Sequence, residues 1–385
     1  MARKFFIIAG EASGDVLGAK LIKEIKSQFG KEKLEFVGIG GKMMEKEGLH
    51  PIFPMSDLSI MGFVEVVPHI SKLLKRIRQS AVEIIKQKPD FIVTIDSPDF
   101  NFRVLKKLQN FKSAKKIHVI APSVWAYREK RAQKISQLCD LLLAILPFEP
   151  PYFTKYGLKT VFIGHPIMED APNMSQKALA RDIFRNKFGF YEKDIVVYIT
   201  PGSRISEVKK IFPEFIGAIN LLKNRVENLS VVVAVIDKTK DVVEKMAKDF
   251  EVKYVVVEGE EKSNALFAAD FALTKSGTNT FETLLYQLPM LVCYKVNSLT
   301  HIMAKFLLRI RFANLINLIM EREIIPELIQ NDCYGENIAT KLEFLIKNPQ
   351  IAKLQIENSQ IALKILGLNN DESAVKKAVR EIIKL

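Results

Sequence analysis

The order of apolar runs along the chain constrains its fold more than any other feature. Short runs rich in β-branched residues alternate with amphipathic stretches of helical spacing, which is typical of a parallel sheet with helices on both faces. We therefore predict an α/β fold of two Rossmann-like doubly wound sheets with a helical C-terminal tail, and no strand beyond Tyr294. The predicted strands lie near 4–10, 34–39, 91–96, 116–121, 141–146, 160–164, 195–200, 230–236, 254–258, 271–274 and 290–295.

The pattern restarts after a loop that contains Pro166 and Pro172, which indicates a domain boundary. A chain of 385 residues also exceeds the usual size of one hydrophobic core. Ligands of open parallel sheets bind beyond the carboxyl ends of the strands, so we expect the two domains to face a cleft. The predicted parts are an N-terminal domain at 1–168, a C-terminal domain at 169–340, and C-terminal helices at 341–385 that return to the first domain or reach a partner subunit.

The net charge of +13 favours anionic partners, which include nucleic acid, anionic lipid and phosphorylated substrates. Lysines on solvent-facing helices explain the same charge equally well. The three cysteines, Cys139, Cys293 and Cys333, have no paired spacing, so they suit a reducing compartment and indicate neither disulfides nor a zinc site. The first apolar run is too short for a signal peptide, and no uncharged apolar stretch is long enough to predict a membrane-spanning helix.

Acidic and small residues follow three predicted strands of the first domain. Asp96 closes a very apolar strand, where partial desolvation would suit it to act as a general base. Asp99 is either functional or a helix cap. Trp125, the only tryptophan, is a candidate substrate-binding residue in a loop where Tyr127 and Arg128 could stack on or bracket a sugar, and an aromatic loop anchored in the core is the alternative. The loop after the first strand is either a binding loop or a well-capped turn in which Ser13 and Asp15 cap the helix. Its candidate residues are Gly10, Glu11, Ser13, Gly14 and Asp15.

Two loops of the second domain suit a phosphate. The strand at 195–200 is followed by Pro201, Gly202, Ser203 and Arg204 before a helix, and an arginine at a helix N-terminus favours anions. Glu207 is either part of that site or an ordinary acid of the first helical turn. The strand at 271–274 is followed by a loop in which small residues can cradle a phosphate and an acid can bind a ribose. The candidates there are Ser276, Gly277, Thr278 and Glu282. No G-x-G-x-x-G or Walker motif is present, so a dinucleotide loop is disfavoured.

The segment from Val64 to Arg78 combines an apolar stripe with a basic flank formed by Lys72, Lys75, Arg76 and Arg78. This pattern suits a helix that lies on an anionic membrane or admits acyl chains, and core packing is the alternative. A second basic, apolar segment at 295–311 could contact a membrane or a partner subunit. The predicted acyl contacts of the first segment are Val64, Val66, Val67, Ile70, Leu73 and Leu74, and Ile77 continues the stripe.

Taken in order, these motifs resemble the lipid-A-disaccharide synthase family. Asn317, Arg322, Glu323 and Glu327 match a motif in its C-terminal region, and the family commonly has glycine where this chain has Glu321. The resemblance covers nearly the whole chain. It rests on Gly10–Asp15, Ile60–Val66, Asp96–Asn101, Pro122–Ala126, Leu146–Glu149, Gly164–Pro166, Pro201–Arg204 with Glu207, and Ser276–Thr278 with Glu282.

The resemblance implies a GT-B fold and a metal-independent, inverting glycosyltransferase of lipid A synthesis. Such an enzyme joins UDP-2,3-diacylglucosamine to the 6-hydroxyl of 2,3-diacylglucosamine 1-phosphate and releases UDP. It implies that Asp96 takes the acceptor proton, that Arg204 and the loops of the second domain stabilise the leaving diphosphate, and that Glu282 holds the ribose. No cofactor is expected. It also implies a cytoplasmic protein on the inner membrane surface, with a homodimer formed through the C-terminal region.

Two other functions fit parts of the sequence. Another GT-B enzyme that uses UDP-N-acetylglucosamine, such as a 2-epimerase or a muramyl-peptide glycosyltransferase, would explain the loops but would not need the basic amphipathic helix. A nucleic-acid-binding protein would explain the charge. We expect no nucleic-acid partner, because no recognised module is present and the acidic residues of the loops would repel a phosphate backbone.

Overall fold

A computed structural model of the protein describes residues 2–58, 70–295 and 311–385. The chain forms two compact units. Unit 1 contains Met1–Glu169 and Asn369–Leu385, and unit 2 contains Asp170–Leu368.

Unit 1 alternates strands and helices along most of its length. Its strands are β1 (Arg3–Ala9), β2 (Leu34–Ile39), β3 (Leu49–Pro51), β4 (Phe91–Ile95), β5 (Lys115–Val119), β6 (Leu141–Ala144) and β7 (Lys159–Phe162). Its helices up to Glu169 are α1 (Ala12–Phe29), α2 (Lys42–Lys46), α3 (Ile70–Gln87), α4 (Pro98–Lys107), α5 (Arg131–Ile135) and α6 (Pro151–Thr154). A 3₁₀ turn covers Met55–Asp57.

The seven strands form one parallel sheet in the order β3-β2-β1-β4-β5-β6-β7. Successive residues of β1 point to opposite faces of the sheet and are apolar, so helices must cover both faces. Phe5 and Ile7 are buried in a core that includes residues of α1, whereas Phe6 and Ile8 are buried in a core that includes residues of α3 and α4. A parallel strand that is buried on both faces reads as a continuous apolar run, which is why the sequence predicted β1.

Unit 2 has the same alternation. Its strands are β8 (Ile195–Thr200), β9 (Leu229–Ala234), β10 (Lys253–Val257), β11 (Phe271–Lys275), β12 (Met290–Tyr294) and β13 (Glu327–Ile329). Its helices are α7 (Lys177–Phe188), α8 (Ile205–Leu222), α9 (Asp237–Ala247), α10 (Glu261–Ala268), α11 (Asn279–Leu285), α12 (Leu315–Ile319), α13 (Gly335–Lys347) and α14 (Pro349–Ile365). Short 3₁₀ turns cover Pro166–Asp170 at the junction of the units, Met174–Gln176 and Gln330–Asp332.

The six strands of unit 2 form a parallel sheet in the order β10-β9-β8-β11-β12-β13. The prediction that strands stop after Tyr294 was wrong, because β13 pairs with β12 and adds an edge to this sheet. The prediction also missed β3 at the edge of the first sheet. Each of these strands has only three residues, which is too short for an apolar pattern to show.

The C-terminal helices divide between the two units. α13 packs along α8, and its Leu342 joins the core that contains Val197 and Phe212 of unit 2. The final helix, α15 (Ala374–Ile383), belongs to unit 1, where it contacts α1 and where Glu169 accepts a hydrogen bond from the backbone N–H of Val375 at 2.9 Å. Two parallel-sheet α/β units and a helical C-terminal region confirm the predicted fold class.

Candidate active site

In each sheet the chain first adds strands on one side of a central strand and then adds the later strands on its other side. In unit 1 this strand is β1, between β2 and β4, and in unit 2 it is β8, between β9 and β11. At such a switch point the loops after the two neighbouring strands separate and leave room for a ligand. The loops after β1 and β4 carry Gly10–Asp15 and Asp96–Asn101, and those after β8 and β11 carry Pro201–Glu207 and Ser276–Glu282. The structure therefore brings most of the predicted residues to the two switch points.

Asp96 lies in a strained loop directly after β4. Asp96 and Ser97 have φ angles of 47° and 43°, in the left-handed region that non-glycine residues rarely adopt. Each of these two left-handed residues costs on the order of 1 kcal/mol or more, so the surrounding contacts must impose this conformation. Burial raises the pKa of the Asp96 carboxyl above its usual value, and a hydrogen bond from the Ser97 backbone opposes part of that rise. A half-buried carboxyl of this kind suits proton transfer.

Asn101 and Gly10 hold this loop in place. The buried Asn101 side chain donates from Nδ2 to the carbonyl oxygens of Asp96 at 2.7 Å and Ile95 at 3.2 Å. A Cβ on Gly10 would lie only 2.3 Å from Ser97 Oγ, so the glycine allows the loops after β1 and β4 to approach. Asn101 was not predicted as a site residue, although it belongs to the motif Asp96–Asn101. Its position at the end of a motif that begins with the candidate base was the available signal.

Asp15 has a structural contact that the sequence did not predict. Its carboxylate accepts hydrogen bonds from the backbone N–H groups of Gly41, Met43 and Met44 at 2.8 to 3.0 Å, at the start of α2. The alternative in which Asp15 caps its own helix is not observed, because its carboxylate binds the start of α2 instead. Glu11 is the N-cap residue of α1, and its side chain makes no capping hydrogen bond at that helix end. Gly14 is buried, whereas Ser13 is exposed beside the switch point.

Asp99 and Trp125 occupy different surroundings. Asp99 is exposed on the first turn of α4 and pairs with Arg131 at 3.0 Å. Trp125 is half-buried in the loop after β5, where its Nε1 donates to Glu149 Oε1 at 3.2 Å and its ring meets Phe148 edge to face. Glu149 was quoted in a sequence motif without a role, although it is buried against the only tryptophan.

The switch point of unit 2 joins its two loops through Glu207. Oε1 of Glu207 lies 3.3 Å from Arg204 Nη1 and 3.1 Å from Lys275 Nζ, the last residue of β11. Gly202, with φ of 125°, has no Cβ where one would lie 3.0 Å from Glu207 Oε2. Two cations around one carboxylate leave a net positive charge at the start of α8, where the first backbone N–H groups of a helix lack intrahelical acceptors. Lys275 was not predicted as a site residue, although it directly precedes the predicted Ser276.

The other predicted residues of the loops after β8 and β11 lie at the same carboxyl edge of the unit 2 sheet. Ser203, Gly277 and Thr278 are exposed, and a Cβ on Gly277 would meet nothing within 4 Å. Ser276 is half-buried and donates from Oγ to the carbonyl of Ala313 at 3.1 Å. Open backbone at Gly277 leaves space for a ligand beside the loop.

Glu282 lies on α11, one turn after Thr278. Burial raises the pKa of its carboxyl, with Lys262 opposing the rise and Asp170 adding to it. A half-buried carboxyl at this position retains acceptor oxygens that suit a ribose diol.

Asn317 belongs to a buried network that supports the loop next to Ser276. Its side chain donates to Ile325 O at 2.7 Å and to Glu327 Oε1 at 2.8 Å, and it accepts from the N–H groups of Ile324 and Ile325. Glu327 in turn accepts hydrogen bonds from the backbone of Ala313 and Asn314 at 2.7 and 2.9 Å. Asn317 therefore lies in the framework behind the loop.

Arg322 and Glu323 are not brought to the switch point. They line a cavity of about 320 Å³ together with Gln355, whose side chain bonds to the backbone of Met290 at the amino end of β12. Arg322 also bonds to Asn358 at 2.7 Å. Glu321 has a φ of 54°, the left-handed conformation that explains why glycine would suit this position.

The predicted acyl-contact stripe lies only partly within the described residues. Val64, Val66 and Val67 lie outside them, as does the segment at 296–310. On α3, Ile70 and Leu74 are exposed and Leu73 is half-buried, whereas Ile77 is 3% exposed and belongs to the core. At Ile77 the structure therefore agrees with the core-packing alternative. Of the basic flank, Lys72 and Arg76 pair with Asp57, and Lys75 and Arg78 are exposed.

Two properties of the described residues, 2–58, 70–295 and 311–385, concern membrane spans and metal sites. No helix there has both the length and the apolar character needed to cross a membrane. No group of three or more His, Cys, Asp or Glu side chains in the same residues is arranged to hold a metal ion.

Solved structures share the architecture of this chain. The S. aureus MnaA structure with UDP matches with a TM-score of 0.65 and 16% identity, over 99% of this chain and 96% of that one. A glycosyltransferase from Rickettsia africae matches with a TM-score of 0.60 and 16% identity, over 100% and 99% of the two chains. At these identities the likeness concerns the fold. Together with the two doubly wound units, it places the protein in the GT-B class of folds.

Sequence relationships define the family. The family model described as lipid-A-disaccharide synthetase matches residues 5–383. The lipid-A-disaccharide synthase of Rickettsia akari is 40% identical over 384 residues, which cover 99% of this chain and 95% of that protein. The chain belongs to the lipid-A-disaccharide synthetase family, and it is a glycosyltransferase that forms the lipid A disaccharide. The predicted family is confirmed.

Proposed function

We propose that the protein transfers the diacylglucosamine of UDP-2,3-diacylglucosamine to the 6-hydroxyl of 2,3-diacylglucosamine 1-phosphate with inversion. The products are the β-1,6-linked disaccharide 1-phosphate and UDP. Inversion in one displacement requires a base for the acceptor hydroxyl on the side opposite the leaving group. The observation that carries the proposal is Asp96, a half-buried carboxyl with a raised pKa, held in a strained backbone at the switch point of unit 1.

In this reaction Asp96 takes the proton of the acceptor hydroxyl as the hydroxyl oxygen attacks the anomeric carbon. The bond from that carbon to the diphosphate breaks, and the electron pair leaves with UDP. Arg204 and the N–H groups at the start of α8 stabilise the growing negative charge, and Lys275 adds a second cation nearby. Glu282 binds the uridine ribose. No metal or other cofactor is required in this scheme, because protein cations act on the diphosphate.

The proposal includes association with the inner membrane from the cytoplasmic side. Both substrates carry acyl chains, and α3 presents Ile70 and Leu74 at 46% exposure each, with Lys75 and Arg78 exposed on the same helix. Apolar side chains next to free cations suit an anionic bilayer surface.

We also propose a homodimer formed through the C-terminal region. On α14, Ile351, Leu354, Ile361 and Ile365 are all exposed and fall on one side of the helix by their spacing. Light scattering of the purified protein tests this. Leu354→Ser together with Ile361→Ser should convert a dimer to a monomer, and a wild-type monomer would contradict the proposal.

Product analysis tests the proposed reaction. The purified protein is mixed with UDP-2,3-diacylglucosamine and 2,3-diacylglucosamine 1-phosphate in the presence of EDTA, and the lipids are analysed by mass spectrometry and proton NMR. We expect the disaccharide 1-phosphate with a β linkage. A second sample with UDP-N-acetylglucosamine alone should show no epimer. An α linkage, activity only after Mg²⁺ addition, or epimer formation would each overturn the corresponding part of the proposal.

A further inference from the structure

The only tryptophan of the chain is tied to a buried carboxyl. Trp125 lies in the loop after β5, and Glu149 lies in the loop after β6, which is the neighbouring strand of the sheet. Nε1 of Trp125 donates to Oε1 of Glu149 at 3.2 Å. Since Glu149 is 2% exposed, this hydrogen bond is shielded from water.

The other oxygen of the same carboxyl is held by the backbone. Glu149 Oε2 accepts from the N–H of Leu146 at 3.0 Å and from the N–H of Ile145 at 3.2 Å, directly after β6. The carboxyl therefore has a fixed position on unit 1, and its remaining oxygen points to the indole. Phe148 meets the Trp125 ring edge to face, with 5.1 Å between ring centres. These contacts restrain the ring while it stays half-exposed.

Burial and hydrogen bonding have opposite effects on the pKa of the Glu149 carboxyl. Burial raises the pKa of Glu149 to about 7, against the effect of its three N–H donors. The titratable groups on the adjoining segments include Tyr127 and Arg128, next to Trp125, and His165 after β7, whose pKa is lowered to about 4 by burial. Glu129 and Lys155 pair with each other, and the ring of Tyr152 lies under Lys155. No charged side chain among the described residues contributes to the shift. The charge of Glu149 therefore depends on burial and on hydrogen bonds from two backbone N–H groups and the indole.

We infer that Glu149 is a positioning residue that orients the Trp125 indole against the sugar of the substrate. This inference rests on the proposed function and extends it by placing the loop after β5 against a glucosamine-type ring of the substrate. The C–H face of a pyranose packs well on an aromatic ring, and the ring must be held at a fixed angle to guide it.

Protonation would loosen this arrangement. Oε2 is occupied by two backbone donors, so an added proton is best accommodated on Oε1. A protonated oxygen is a poor acceptor for the indole N–H, because two donors then face each other. The orientation of Trp125 is therefore coupled to the charge of Glu149.

Fluorescence tests the coupling without any substrate, since Trp125 is the only tryptophan. In the wild-type protein, tryptophan emission should change in one transition near pH 7. Glu149→Gln should abolish that transition, and the matched control Glu129→Gln, in a neighbouring exposed ion pair, should retain it. Emission that is flat across this range in the wild type, or a transition that persists in Glu149→Gln, would overturn the inference.

A double-mutant cycle tests the effect on catalysis. Glu149→Gln should lower kcat/KM about tenfold, as expected for a lost hydrogen bond to a charged group. Trp125→Phe keeps an aromatic ring but removes the donor, so adding Glu149→Gln to it should change kcat/KM by less than about twofold. Additive effects, or full activity of Glu149→Gln, would overturn the positioning role.

The two readouts separate this inference from the proposed reaction. A wild-type protein that makes no disaccharide would overturn the proposed function, whereas the fluorescence transition would still report on the Glu149 bond. Thermal unfolding excludes a folding defect. Because the folded-state pKa lies above the ordinary 4.5, ionisation costs stability as pH rises towards 7, and Glu149→Gln should flatten that dependence.

Discussion

The switch points of the two units share a topology and differ in chemistry. In unit 1 the central strands end in a loop where two non-glycine residues, Asp96 and Ser97, adopt left-handed backbone conformations around a half-buried carboxyl. In unit 2 the loops after β8 and β11 have their positive φ angles at glycines, Gly202 and Gly277, and the charged groups include Arg204 and Lys275. The same fold thus provides a site suited to proton transfer in one unit and a site suited to anion binding in the other.

The largest expected effect comes from removing the carboxyl of unit 1. Asp96→Asn should lower kcat by about 10³-fold or more, because an amide of the same shape cannot accept the acceptor proton. Steady-state assays of disaccharide formation measure this. The matched control is Asp99→Asn on the first turn of α4, where the exposed Asp99 pairs with Arg131, and this variant should stay within a few fold of wild type. An Asp96→Asn enzyme with most of its activity would remove Asp96 as the base.

The next effect comes from the cation of unit 2. Arg204→Ala should lower kcat by roughly 10²-fold, since a donor to the developing negative charge is lost. The exposed Lys209, farther along the same helix, provides the control, and Lys209→Ala should change kcat little. Single-turnover kinetics separate the chemical step from product release. Equal rates for Arg204→Ala and wild type would contradict the proposed stabilisation of the leaving group.

A smaller effect is expected from the surface of unit 1. Replacing Ile70, Leu73 and Leu74 with serine should weaken binding to anionic vesicles by roughly tenfold, because less apolar surface enters the bilayer. Val82 and Ile85 are exposed on the same helix beyond the buried Ile77, so Val82→Ser with Ile85→Ser is a matched control. Vesicle sedimentation measures the partition. Equal loss in both variants would show that position on the helix does not matter.

The smallest effect concerns pH. The raised pKa of Asp96 should place the acid limb of the kcat/KM profile above the ordinary value of 3.8. The folded state binds this proton more tightly than the unfolded chain, so its stability falls as pH rises through the folded-state pKa. Asp96→Asn should lack that loss in urea unfolding measured at several pH values. If the free energy of unfolding of wild type, relative to that of Asp96→Asn, increased as pH rises, the raised pKa of Asp96 would be contradicted.

Much of this comparison could be predicted from the sequence, for physical reasons. Buried parallel strands such as β4 and β8 are continuous apolar runs, and the residues that follow them must lie at the carboxyl edge of a sheet. The positions of Asp96 and Arg204 follow from that rule. The short edge strands β3 and β13 carry too few residues to show such a pattern, so the sequence did not predict them.

Other features depend on contacts between distant residues. Asp15 accepts hydrogen bonds from Gly41 and Met44, and Trp125 meets Glu149, although more than twenty residues separate the partners in each case. Helical spacing put Ile77 on a membrane-facing stripe, yet the same face enters the core of unit 1 within two turns. Spacing identifies one face of a helix but does not say where along its length that face becomes buried.

Calorimetry of UDP binding tests the central claim, that unit 1 supplies the base and unit 2 binds the diphosphate. UDP is titrated into wild type, Asp96→Asn and Arg204→Ala in the presence of EDTA. We predict that Asp96→Asn binds UDP within a few fold of wild type, whereas Arg204→Ala binds it about tenfold more weakly or worse, as expected for a lost charge-assisted contact. Lost UDP binding in Asp96→Asn together with unchanged binding in Arg204→Ala would contradict this division between the two units.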